Sequence, residues 1–150
     1  MLLKLTGSSG AGKTTLAFAV TDRPDGVVVH GFDEVGVPDP PIPPRWRNRM
    51  TGVWVHRALE CQARGTDLLL SGNSPLGEVL AAPSLNGIAA CLIDVADHDW
   101  RDRLAARDGG RWDHTATDAF CGWAAWHRRH ARDPRFRPEA IIDRSWPEMA

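Results

Sequence analysis

Tyrosine is absent from this sequence and lysine nearly so: Lys4 and Lys13 are the two lysines among 18 basic residues, a bias that points to GC-rich coding. Cysteine is sparse as well. Cys61, Cys91 and Cys121 are odd in number, far apart and free of any CxxC spacing, which argues against a disulfide framework or a thiolate zinc site and suits a reducing compartment. Neither charge is in surplus. A net charge of -1 leaves no basic excess to neutralise many phosphates of a nucleic acid backbone, so no nucleic-acid partner is expected. Long apolar runs are missing too: Lys4 interrupts a start too short for a signal peptide, and no later run reaches the length that spans a bilayer. The expectation is a cytoplasmic protein without a membrane partner.

What is present suffices for one folded domain. The chain has 150 residues, 43% apolar and 25% charged, enough to bury a core without staples and far from the composition of disorder. Residues 1–6 read as a strand, and TTLAFAV after the glycine loop as a helix, with Leu16, Ala17 and Val20 at helical spacing. VVVH (27–30), DLLLSG (67–72) and GIAACLID (87–94) read as buried strands, and EAIID (139–143) as a fifth. Between them, residues 45–64 form the longest early helix, with Trp46, Met50, Val53, Trp54, Ala58 and Cys61 on one face. Residues 97–107 and 115–131 read as two more helices around the Gly109-Gly110 break. GVPDPPIPP (36–44), with five prolines, is neither helix nor central strand but a stiff extended loop within the domain. Alternating strands and helices joined by short crossovers imply a parallel sheet in a three-layer α/β sandwich.

The segment LTGSSGAGKTTLA (5–17) carries the most specific signal. Gly7, Gly12, Lys13 and Thr14 satisfy G-x-x-x-x-G-K-[ST], with a strand before and a helix after, the context this pattern requires. Such a loop wraps backbone N–H groups around a phosphate chain, which demands small residues between the glycines. Ser8, Ser9, Gly10 and Ala11 all qualify. The helix N-terminus adds its positive end. Lys13 is placed to reach the β and γ phosphates, Thr14 to offer its hydroxyl to Mg2+, and Thr15 continues the cradle.

With this motif and this order of elements the chain resembles the small P-loop kinases, such as shikimate kinase, gluconate kinase, adenylylsulfate kinase and chloramphenicol phosphotransferase. The resemblance implies a five-stranded parallel sheet of order 2-3-1-4-5, a single domain with an acceptor-side segment at about 36–64 and a lid at about 101–114, and ATP and Mg2+ as cofactors. In those kinases an acidic residue just past the second strand accepts the acceptor's hydroxyl proton. By position that is Asp33, with Glu34 as the alternative; Asp33 could also help hold the metal. Strand ends of open parallel sheets face the ligand crevice, which supports the placement, while a turn aspartate bonded to local N–H groups is the plainer reading. The family's lid arginines correspond to Arg103 and Arg107, four apart on one helix face, with Arg101 elsewhere and Arg111 at the lid tip. The plainer alternative is a solvated helix in which Asp99 pairs with Arg103. Arg144 or Trp146 in IIDRSWP would lie against adenine.

Two points depart from the family pattern. Strand three ends in Ser71 and Gly72, with Asp67 at its opposite end, so Asp94 after strand four is the other carboxylate that could support magnesium. The closing helix many members have is missing before Ala150, which implies a sheet edge that is bare or covered by a second copy in a homodimer.

The acceptor side is read from the segments that overhang the strand ends. Arg47 and Arg49 suit an anionic acceptor and Asn73 a small polar one, while Ser74 suits a helix cap. Trp46, Met50 and Trp54 are core before they are a pocket. Trp123, Trp126, His127 and His130 read as packing and surface rather than a metal pair, since no third ligand accompanies the histidines. The leading expectation is an ATP-dependent transfer of a phosphoryl group to a small-molecule hydroxyl. A nucleoside or nucleotide kinase, for which Arg45, Arg47 and Arg49 could supply cations, and a nucleotide-dependent switch or accessory ATPase are the alternatives.

Overall fold

The computed structural model describes residues 1–21, 26–73, 87–106 and 114–130. Four short strands form one parallel sheet: β1 (Leu2–Thr6), β2 (Val27–Gly31), β3 (Asp67–Ser71) and β4 (Ile88–Leu92), in the order β2-β3-β1-β4. This is the expected order for the first four strands. The fifth expected strand, 139–143, lies outside the described residues. In register, Leu3 pairs with Leu69 and Ala89, and Val29 with Leu69. The central β1 therefore has neighbours on both sides, and nearly all of its residues are buried.

Because side chains alternate across a strand, each strand supplies both faces of the sheet. On one face Leu5 and Leu69, with Leu3, Val27, Val29, Cys91 and Ile93 beside them, meet Ala17 and Val20 of α1 (Lys13–Thr21). Leu16, grouped with those two by spacing, is 43% exposed, because this short helix meets the sheet along a narrow stripe. On the other face Leu2, Leu68, Leu70 and Ile88 pack against Trp46, Trp54, Ala58 and Cys61 of α2 (Trp46–Ala63). Two apolar faces covered by helices make the three layers expected of short parallel crossovers.

Trp54 is the anchor of the α2 layer. It is fully buried, and its Nε1 donates to the Phe32 carbonyl at 2.9 Å, so a large ring enters the core without an orphaned donor. The same bond ties α2 to a 3-10 turn (Phe32–Val35) that follows β2. Met50 is partly buried against this cluster, whereas Val53, expected on the same face, is exposed at the edge of the stripe. The proline-rich stretch forms neither helix nor strand.

Beyond β4 come α3 (Asp97–Ala106) and α4 (His114–His130). Asp97 and Asp99 lie in the first turn of α3 and Arg103 in its last, the arrangement the helix dipole favours. The two helices meet through Trp100, Leu104 and Ala124, with Phe120 and Cys121 against them. Among the described residues no helix is long and apolar enough to cross a membrane.

Candidate active site

The phosphate-loop sequence folds as its glycines require. Gly7, Gly10 and Gly12 have φ of 143°, 84° and 98°, conformations that side-chain-bearing residues rarely adopt. Space forbids side chains too. A Cβ on Gly7 would stand 2.4 Å from the Ile93 carbonyl oxygen, and one on Gly10 would stand 2.7 Å from Trp100 Nε1. Ala11 N donates to Ser8 O at 3.3 Å, and Leu16 N to Gly12 O at 3.0 Å as α1 begins. Lys13 curls back over the loop, its Nζ donating to Ser8 O at 2.7 Å. Ser8 is buried, and its hydroxyl donates to Phe120 O at 3.1 Å, which makes it a strut between loop and α4.

Ser9, Gly10, Gly12, Lys13, Thr14 and Thr15 line one end of a cleft of about 930 Å³. Its other walls include Asp33 and Glu34 after β2, Ser71 to Asn73 after β3, and Arg103 of α3. Three strand ends and one helix thus bring together residues as far apart in sequence as Ser9 and Arg103, as open parallel sheets do at the carboxyl ends of their strands. The loop has the parts that would suit a nucleoside triphosphate: a glycine cradle crowded at Gly7 and Gly10, one ammonium, and the hydroxyls of Thr14 and Thr15 at the mouth of α1. Among the described residues no group of three His, Cys, Asp or Glu forms a metal site; a magnesium ion at this loop would be held by Thr14 with phosphate oxygens and water, and Asp33 in the cleft wall is the carboxylate that could join them.

The two carboxylates after β2 are set apart by their partners. Glu34 Oε1 accepts from Gly31 N at 2.6 Å and Oε2 meets His30 Nδ1 at 2.6 Å, so the side chain caps its own turn. Burial pushes its pKa up, but the Gly31 N–H, the His30 imidazole and the Arg57 charge outweigh burial and hold it below the ordinary 4.5. A lowered carboxylate contributes stability that is full above its unfolded pKa and lost as pH falls through the folded value. Glu34→Gln is therefore expected to cost little at neutral pH, about 0.5 kcal/mol or less for so exposed a group, and to flatten the acid limb of thermal melts below pH 4.5. An unaltered acid limb would show that the cap carries no weight. Asp33, exposed in the cleft wall, uses its backbone carbonyl to accept Gly36 N at 3.0 Å.

The acceptor-side candidates are placed differently from one another. Asn73 lines the cleft, and Arg47 stands behind it, donating to Asn73 O at 2.5 Å with its guanidinium 5.3 Å from the Phe32 ring centre. Trp123 Nε1 donates to Asn73 Oδ1 at 2.6 Å, which leaves the amide NH2 as that side chain's donor group. Arg49 is exposed on α2 and is not among the residues that line the cleft. Lys4 adds a third brace that sequence reading noted only as an interruption of an apolar run. It is 1% exposed in the central strand, and its Nζ donates to Gly72 O at 3.0 Å. Arg47, Trp123 and Lys4 together fix the turn that carries Asn73.

Arg103 reaches the phosphate loop: its Nη1 would be 3.9 Å from a Cβ on Gly12. Asp99 sits 3.2 Å from His98, and Arg101 pairs with Asp118 at 3.1 Å. Arg107 and Arg111, the other lid arginines, Ser74, and Arg144 with Trp146 lie outside the described residues. Asp94, the alternative magnesium carboxylate, lines a second cavity of about 620 Å³ and is bonded to Arg128 at 2.5 Å. His127 packs edge-on against the stacked rings of Trp123 and Trp126. Trp100 was not singled out by any motif, yet its indole donates to Ser9 O within the phosphate loop.

No family profile and no curated protein matches the chain. Solved structures do. A chain of the Pnkp1/Rnl/Hen1 RNA repair complex matches over 85% of this chain at 16% identity and a TM-score of 0.64. This chain spans less than half of such partners, 40% and 45% of two chains from that complex. The gluconokinase of Sinorhizobium meliloti 1021 matches over 93% of this chain and 79% of its own, at 15% identity and a TM-score of 0.59. The shikimate kinase of Acinetobacter baumannii matches over 99% and 87%, at 15% identity and a TM-score of 0.53. The fold is that of the small P-loop kinases, as the loop motif and the order of elements led one to expect. At these identities the likeness concerns the fold alone.

Proposed function

We propose that this chain is an ATP-dependent phosphotransferase that moves the γ-phosphoryl group to a hydroxyl of a small molecule. The observation that carries the reading is the single cleft in which the phosphate loop, Asp33, Asn73 and Arg103 face one space. Magnesium-bound ATP would supply the activated phosphoryl group; the chain's own residues would do the rest. Gly7 to Gly12 hold the phosphates through backbone N–H groups. Lys13 would exchange Ser8 O for phosphate oxygens and offset their charge, and the Thr14 hydroxyl would help hold the metal. Asp33 accepts the acceptor's hydroxyl proton as the oxygen attacks the γ phosphorus and the bond to the β–γ bridging oxygen breaks, releasing ADP, and Asn73 orients the acceptor. Arg103, with Arg107 from the lid at about 101–114, steadies charge on the transferring group.

A nucleotide acceptor would want cations at its end of the cleft, and two observations support that reading less. Arg47 is occupied by Asn73 O, and Arg49 is exposed away from the lining residues. The test is to incubate the protein with MgATP and a panel of sugars, other hydroxylated metabolites, nucleosides, nucleotides and RNA, then weigh the products. A phosphoryl mass added to one class of acceptor is the expected result. ADP formed at the same rate with and without every acceptor would replace this reading with an accessory ATPase.

A further inference from the structure

Trp100 stands on the first half of α3, outside the phosphate-loop motif, and is 1% exposed. Three contacts join it and its helix to the loop. Its indole N–H donates to Ser9 O. The nearest atoms to a Cβ on Gly10 would be Trp100 Nε1 at 2.7 Å, Trp100 Cδ1 at 3.0 Å and Leu104 Cδ2 at 3.1 Å. One turn on from Trp100, Arg103 is the residue that approaches Gly12. Residues 100, 103 and 104 share a helix face, and that face is seated on the loop.

The bond to Ser9 O has a consequence for anion binding. The Ser9–Gly10 peptide is trans, so its carbonyl and its N–H lie in one plane and point in opposite directions. Gly10, at φ 84°, has no Cβ to resist rotation of that plane, so glycine alone leaves the peptide free to flip. A flip would withdraw the Gly10 N–H from the phosphates and turn a carbonyl oxygen toward them. A donor fixed on the far side prevents it.

We infer that Trp100 is a positioning residue for the phosphate loop: its indole N–H locks the Ser9–Gly10 peptide with the Gly10 N–H turned to the bound anion, and the same side chain ties α3, with Arg103, to that loop. The inference rests on the nucleotide-binding reading above. Trp100→Phe keeps an aromatic ring at the interface and removes the donor.

The test uses the indole N–H resonances of the 15N-labelled chain, which has seven tryptophans, together with binding heats for MgADP and for the magnesium complex of AMP-PNP. The Trp100 signal is assigned by its loss in Trp100→Phe or, should that variant not fold, by its proximity to Leu104 in the unaltered protein. It is expected to shift with the half-saturation seen in the heats, and Trp100→Phe to bind both nucleotides about fivefold more weakly or worse, the effect of one lost hydrogen bond to the loop. A Trp100 signal that stays put at saturating nucleotide, or a folded Trp100→Phe that binds within about twofold of the unaltered chain, overturns the inference and leaves the nucleotide reading standing. Absence of heat from the unaltered protein removes both.

Discussion

Lys13→Ala is expected to abolish measurable turnover, lowering kcat/KM by about 10³ or more, and to weaken binding of MgATP. Lys13 is the lysine that lines the cleft, and its ammonium donates to Ser8 O, within the loop whose N–H groups would hold phosphates. Removing it leaves the N–H cradle but takes away the ammonium at the mouth of α1. A structural role would show differently. Lys13 is not part of either packed face of the sheet, so the variant should melt close to the unaltered protein while losing the stabilisation that MgATP confers. Retention of full acceptor phosphorylation by Lys13→Ala would remove the phosphate loop from the reaction.

Asp33→Asn should separate chemistry from binding. The substitution keeps size and hydrogen-bonding reach but cannot take up a proton, so kcat is expected to fall by about 10² or more while nucleotide affinity holds. Its neighbour supplies the control. Glu34 is already committed to Gly31 N and His30, which leaves Asp33 as the carboxylate after β2 whose side chain is available to an acceptor hydroxyl. Glu34→Gln should accordingly leave kcat within a small factor. If Asp33→Asn turns over at the original rate, or if Glu34→Gln loses the larger share, the base has been assigned to the wrong residue.

The contrast between these carboxylates shows what could be read along the chain and what could not. The family resemblance nominated Asp33 by its position after the second strand, with Glu34 as the alternative, and strand ends of a parallel sheet that face the crevice supported the placement. Separating them required the fold of the turn, in which Gly31 N and His30 claim one side chain and leave its neighbour in the cleft wall. Arg47 and Asn73 tell a similar story. Their residue types suggested contact with an acceptor, yet one now braces the other's backbone from α2, with Trp123 holding the amide from α4. Lys4 and Trp100 carried no motif at all. A lysine inside an apolar strand and a tryptophan inside a charged helix gain meaning only from Gly72 O and Ser9 O, atoms 68 and 91 residues away in sequence.

The sequence by itself determined the parallel α/β layering and the phosphate loop, since both are local: short apolar runs, helical spacing, and glycines at positions whose φ of 143°, 84° and 98° other residues rarely adopt. Only the tertiary structure decided which polar groups face the cleft and which hold it together. A hydrogen bond is spent on whichever partner the packing brings within reach, and that choice depends on contacts no short stretch of chain contains.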